Sequence, residues 1–239
     1  MPWIWCVILT MGGLAACGCQ PENTGGMANV PESEAAPASS ERPSKPPFLF
    51  REAPLPEGFP PAGPVGQVVL KSYPSYRLAR VRTDNTGEGD PNDMFRPLFQ
   101  HIQRNDIAMT APVEIEYAAT LTDEAASATP DQHEPRATAM AFLYVESALG
   151  KAGPDPADPR VVVADQPPIT VLSVGVRGGY TERNLSRGLR QIKAWLKQNP
   201  DRFKVTGSPR YLAYNSPFVP GFLKFGEVQV PVEMIGEQP

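Results

Sequence analysis

Ile169-Thr170-Val171-Leu172-Ser173-Val174-Gly175-Val176-Arg177 is apolar, β-branched and nine residues long, and a helical pattern follows it at once. The run has the composition of a buried strand. Thr181 then stands where a helix N-cap is wanted. Leu185, Leu189, Ile192 and Leu196 recur at helical spacing, with Arg183, Arg187, Arg190 and Lys197 opposite them. Pro200 stops the helix near Gln198. Arg210–Tyr214 and Phe225–Met234 follow as strands, the second alternating Val228, Val230 and Val232 with Glu227, Gln229 and Pro231. The order is strand, helix, strand, strand.

The same order precedes it. Val65–Thr83 reads as extended chain interrupted at Pro74. Asp84–Asp93 is turn material, and Asp93 is placed to cap a helix running to about Arg104. Phe95, Leu98, Phe99 and Ile102 share one face of that helix. Ile107–Tyr117 is strand-like, with Val113, Ile115 and Tyr117 on one side and Glu114 and Glu116 on the other. Ala118–Thr138 is a polar loop, Ala139–Glu146 a strand, Gly150–Pro159 a loop and Arg160–Ala164 a short strand. We expect an α+β fold: a tandem β-α-β-β repeat forming one distorted antiparallel sheet or barrel, with two helices on one face.

The N-terminus reads differently. Met1–Ala16 has no charged side chain and contains Trp3, Ile4, Trp5, Val7, Ile8 and Leu9. This is too short for a mature membrane span but suits the apolar part of a signal peptide. Residues 17–64 are rich in Pro, Ser, Ala, Glu and Gly, a composition that cannot bury enough surface to offset chain entropy. We expect residues 1–16 to be a leader, 17–64 a tether and 65–236 the folded domain. About 175 residues then remain, enough for one core.

Composition removes several chemistries. The three cysteines are Cys6, Cys17 and Cys19, so the expected domain has neither a thiol nucleophile nor a cysteine metal site. His101 and His133 are the only histidines, which excludes a multi-histidine zinc centre. A net charge of −4 gives no global basic character pointing to nucleic acid. Gly175 and Gly178-Gly179 lack dinucleotide-fingerprint spacing. Glu114 and Glu116 form a carboxylate pair on paper, yet alternate strand positions argue for solvent exposure.

Two resemblances sharpen this outline. Leu14-Ala15-Ala16-Cys17 resembles the lipobox of bacterial lipoproteins, which implies diacylglycerol on Cys17 and anchorage in the cell envelope. Ile107-Ala108-Met109-Thr110-Ala111-Pro112-Val113 resembles the most distinctive block of the SOUL haem-binding family. Tyr73–Arg77, Phe95–Ile102, Met140–Tyr144, Pro154-Asp155-Pro156 and Asn215-Ser216-Pro217-Phe218 up to Glu227-Val228 resemble its other landmarks in order. The resemblance implies a doubled β-α-β-β barrel with an apolar pocket for haem or a related tetrapyrrole, and no catalysis. His101, at the edge of the apolar stripe, is a candidate iron ligand, and Met109 a soft second one. A bridging role for His101 and a core role for Met109 are the plainer readings. Arg187 and Arg190 are candidates for pairing with propionates; a basic helix face can equally rest on anionic headgroups or simply be solvated. Two rivals stay open: an interaction module without a small ligand, and an effector-binding module for an amphipathic cation with Glu227 at its centre.

Overall fold

Alternating and continuous apolar runs form the strands of this chain, and two amphipathic stretches form its helices. The structure, a computed structural model, describes residues 51–83, 91–118 and 136–235. The leader, Cys17, the tether as far as residue 50, the turn at 84–90, and the loop at 119–135 with His133 lie outside the described residues. The elements run β1 (Val68–Tyr73), β2 (Tyr76–Arg82), α1 (Pro91–Arg104), β3 (Val113–Ala118), β4 (Arg136–Leu143), β5 (Gly153–Asp155) and β6 (Asp158–Gln166). The second half continues β7 (Ile169–Arg177), α2 (Glu182–Gln198), β8 (Phe203–Val205), β9 (Arg210–Ala213) and β10 (Phe225–Met234).

One antiparallel sheet takes the order β1-β7-β10-β9-β3-β4-β2-β6-β5, with β8 paired to β10. The repeat is visible in that order. Outward from the β9–β3 junction, β3-β4-β2-β6 mirrors β9-β10-β7-β1. Helix α1 packs on β4, β2 and β6, and α2 on β7, β10 and β1. The sheet curls but does not close, because β1 and β5 end the order unpaired with each other. Of the two forms expected, sheet or barrel, the chain takes the open sheet. Strand β5 is three residues long and contains Pro154, which lacks the N–H that another strand would need.

Both helices bury their apolar stripes in one cluster. Met94, Leu98 and Ile102 meet it from α1, and Leu185, Leu189 and Ile192 from α2, over Ile115, Phe142, Val174 and Val228 of the sheet. Each such side chain contributes about 2 kcal/mol by leaving water. Thr181 caps α2, its hydroxyl accepting from the N–H of Asn184. Asp93 lies within the first turn of α1 rather than capping it, since the helix begins at Pro91. Gly188 lets α2 approach β10, for a Cβ there would stand 2.5 Å from a methyl of Val228.

A second cluster covers the reverse face: Tyr73, Tyr76, Leu78, Leu143, Leu212, Tyr214 and Phe225. Leu55, Phe59 and Ala62 pack on it. The packed chain thus begins before Val65, and residues 51–64, expected in the tether, form a strap across the sheet. The Phe59 ring meets Tyr73 and Tyr76 edge-on at 4.9 and 5.0 Å. Pro54 accepts from the Ala111 N–H at 2.9 Å. The stretch from Ile107 to Pro112, expected in a strand, is spent on such contacts, and β3 starts only at Val113.

Candidate functional site

On the helix side, β3, β9 and the turn before α2 bring three tyrosines together. Tyr211 is fully buried, and its hydroxyl has no hydrogen-bond partner. The Tyr180 ring meets it edge-on at 5.5 Å. Burial pushes the Tyr211 phenol above its ordinary range, as do the neighbouring Tyr180 and Tyr117, while Arg187 opposes them. Tyr117 is pushed up to about 12, by burial first and by the Glu182 charge second. A buried hydroxyl without a partner is costly, on the order of 1–3 kcal/mol. The hydroxyl is enclosed, so an acceptor from outside reaches it only where the side chains around it part. Arg187 is exposed on α2 and donates to the Arg177 carbonyl at 3.1 Å. Arg190 is also exposed, three residues further along the helix.

His101 lies elsewhere, buried under α1. Its Nδ1 pairs with Asp155 Oδ2 at 2.6 Å and its Nε2 with the Tyr144 hydroxyl at 2.7 Å. Arg104 also donates to Asp155 at 2.7 Å, and the Ala157 N–H at 2.8 Å. Burial works against the Asp155 charge, yet hydrogen bonds from His101, Ala157 and Arg104 hold its carboxyl well below the ordinary range. His101 thereby ties α1 to β5 and to the residue just after β4. Met109 is half-buried and packs against the helix-side cluster.

The reverse face carries a chain of buried polar groups. Glu227 Oε1 accepts from Lys71 Nζ at 2.6 Å and from the Gly63 N–H. Its Oε2 accepts from Gln229 at 2.8 Å and Ser173 at 3.1 Å. Arg210 donates to Gln229 at 3.0 Å and to Glu114 at 2.8 Å. Glu114 is buried, against the expectation that alternate positions of β3 face solvent. The strap and the Tyr76 hydroxyl cover that side of the sheet. Lys71 supplies Glu227 with a cation from within the chain. A depression of about 440 Å³ on the first half is lined by Asp93, Arg96, Pro97, Gln100 and Arg160, a polar wall that does not match a porphyrin face.

The candidate residues therefore fall in three places. Arg187 joins the tyrosine cluster, His101 forms its own buried knot, and Glu227 belongs to the reverse face. Tyr180 and Tyr211 were not singled out by sequence reading. Their signal was present only as aromatic positions bordering α2 and on β9. Lys71 gave no signal, since a lysine near a strand end reads as exposed.

Residues 66–231 match the family described as SOUL heme-binding protein. The chain belongs to that family. No match is found among curated proteins. The fold is similar to a solved complex of EcmrR with DNA, at TM-score 0.52 and 18% identity over 71% of this chain, which spans 58% of that one. It is also similar to the EcmrR C-terminal domain, at TM-score 0.51 and 16% identity, over 71% of this chain and 98% of that one. An uncharacterized conserved protein from Listeria innocua gives TM-score 0.51 and 10% identity, over 71% and 94% of the two chains. These likenesses concern the fold.

Tested against the group that gives the SOUL family its name, the residues fit in part. The unpartnered Tyr211 hydroxyl beside Arg187 suits a carboxylate. Both ring nitrogens of His101 are engaged within the fold, by Asp155 and Tyr144. Among the described residues no cluster of three or more His, Cys, Asp or Glu could hold a metal ion.

Proposed function

We propose that this SOUL domain binds haem or a related tetrapyrrole without catalysing a reaction on it, as a lipid-anchored protein of the bacterial cell envelope. Family membership carries the ligand class. The buried, unpartnered hydroxyl of Tyr211 carries the place. A tetrapyrrole offers a broad apolar face and two carboxylates; haem adds an iron able to take axial ligands. Apolar contact at about 25 cal/mol per Å² can drive association without an iron bond. Tyr211 would donate to a propionate, and Arg187, with Arg190 further along α2, would supply charge-assisted hydrogen bonds. His101 keeps its fold-holding partners, and Met109 its packing.

The anchor reading rests on Leu14-Ala15-Ala16-Cys17 and on the composition of the stretch that follows. Thioether-linked diacylglycerol on Cys17 would hold the domain at a membrane, with about 30 residues of intervening chain able to reach tens of ångströms. Absorbance titration with haemin and with metal-free protoporphyrin tests the ligand. Saturable binding of both is expected, within about tenfold of each other, because no iron bond is required. A flat response to both from folded protein overturns the reading and favours an interaction module.

A further inference from the structure

We infer that the loop Asn215–Lys224 is a membrane-docking surface, inserting Phe218 and Phe222 into the interface of a bilayer that carries anionic headgroups. Phe218 is 94% exposed and Phe222 76% exposed. Large aromatic side chains this exposed are uncommon when they stand close together on one loop. The loop does not hold them out by being slack. Val219 is buried between them, and its N–H donates to the Ser216 carbonyl at 3.3 Å. The Tyr180 hydroxyl accepts from the Asn215 N–H, and Asn215 Oδ1 accepts from the Phe225 N–H at 2.9 Å. A short 3-10 turn, Gly221–Leu223, follows Pro220. The backbone is thus braced at both ends and at its middle while two rings stand in water.

Two observations choose the occupant. The first is where the chain outside the described residues ends. Glu52 accepts from the Ser216 N–H at 2.8 Å and from the Ser216 hydroxyl at 2.7 Å. The stretch bearing Cys17 therefore enters the domain beside this loop, and a tether pulled toward a membrane presents this end to it. The second is charge. Arg51 is adjacent to Glu52, the Lys224 carbonyl accepts from the Gly178 N–H at 3.0 Å, and Arg177 is next to Gly178. Lys224 belongs to the loop, its ammonium 3.4 Å from the Pro217 carbonyl, and with the exposed Arg51 and Arg177 it outnumbers the Glu52 carboxylate at this end of the domain, as suits anionic headgroups. Aromatic rings favour the bilayer interface itself. The inference rests on the anchored reading for the orientation of the domain.

The test uses the full chain, with Cys17 modification read by mass spectrometry. Phe222→Trp is made in a Trp195→Phe background and compared with that background alone. Vesicles of phosphatidylcholine with and without phosphatidylglycerol carry lipids brominated near the headgroup end of the acyl chain. Added tryptophan emission should shift to the blue and be quenched several-fold more with phosphatidylglycerol present. Phe218→Ser with Phe222→Ser should weaken vesicle association at least about tenfold while leaving the far-ultraviolet circular dichroism unchanged. Lipidated Cys17 without quenching overturns the docking surface and leaves the anchor. Quenching with unmodified Cys17 keeps the surface and removes the anchor. Absence of quenching with concentration-dependent dimerisation that the double serine variant abolishes assigns the loop to a second copy of this chain and overturns the inference.

Discussion

Arg210 Nη1 lies 2.8 Å from Glu114 Oε2 with both side chains buried, and the Tyr76 hydroxyl bonds to each of them. The two residues are neighbours across β3 and β9, in the middle of the sheet. Desolvation disfavours the Arg210 charge, but Glu114, Tyr76 and Tyr73 together outweigh it and drive its pKa above the ordinary range. A pair in this position is worth less than its loss. Arg210→Met alone or Glu114→Gln alone should cost about 3–5 kcal/mol by urea unfolding, because each leaves the other group buried and unmatched. Glu114→Gln combined with Arg210→Met should cost clearly less than the sum of the two. Additive losses would show that the pair is not a unit.

Gly188→Ala sets helix propensity against packing. Alanine favours an exposed helix interior by about 1 kcal/mol over glycine. At this position the new methyl would meet Val228, and overpacking costs about 1–3 kcal/mol. A net loss of stability and a lower Tm are expected. A rise in Tm would mean that α2 can step away from β10.

Acid should loosen the His101 knot through Asp155. Its folded-state pKa lies below the ordinary value, although burial pushes the other way. A depressed carboxyl contributes stability that is complete above its unfolded pKa, about 3.9, and lost as pH falls from there toward the folded value. Asp155→Asn should therefore lower stability at neutral pH by about 2 kcal/mol. Unfolding curves of wild type and variant should converge below about pH 4. Convergence starting near neutrality would locate the titration on another group.

Every tyrosine of the chain is pushed upward by burial first. Tyr117 and Tyr144 move to about 12, and Tyr73, Tyr76, Tyr180, Tyr211 and Tyr214 go higher. A raised phenol stabilises the fold below its unfolded pKa, about 10, and that contribution is lost as pH climbs toward the folded value. Phenolate absorbance should therefore stay nearly flat through pH 10 and then rise together with unfolding. A smooth early titration would mean that the tyrosines are not enclosed.

Tyr211→Phe separates place from ligand class. If the hydroxyl receives a propionate, the variant should bind haemin and protoporphyrin about tenfold more weakly while unfolding at an equal or higher denaturant concentration. Arg187→Ala with Arg190→Ala should weaken binding more at low salt than at high salt. His101→Ala should leave the haemin spectrum unchanged apart from any loss of folded protein. A shifted Soret band on that substitution would place the imidazole on iron.

The doubled order of strands and helices was legible from local pattern alone. Ile169–Arg177 and the Leu185, Leu189, Ile192 stripe form β7 and α2 as read, because hydrophobic period and capping act over one or two turns. The two three-residue strands β5 and β8 were not legible, since so short a run carries no period. What covers each face was equally hidden. Glu114 alternates with apolar residues and therefore reads as solvent-facing, yet it is buried, as are Glu227 and Gln229 of β10. Alternation says which side of a strand a residue takes. It does not say that a strap from residues 51–64, with Phe59 on Tyr73 and Tyr76, lies over that side.

Sequence alone therefore determined the element order, the repeat, the inward faces of both helices and the family resemblance, all of which depend on near neighbours along the chain. Tertiary structure alone decided that the sheet stays open and that both His101 nitrogens are engaged. It also decided that Lys71 neutralises Glu227 and that the Tyr211 hydroxyl is left without a partner. The physical reason is range. Glu227 meets Lys71 across 156 residues of chain, and a buried polar group finds its partner, or fails to, only when distant strands and the strap close over it.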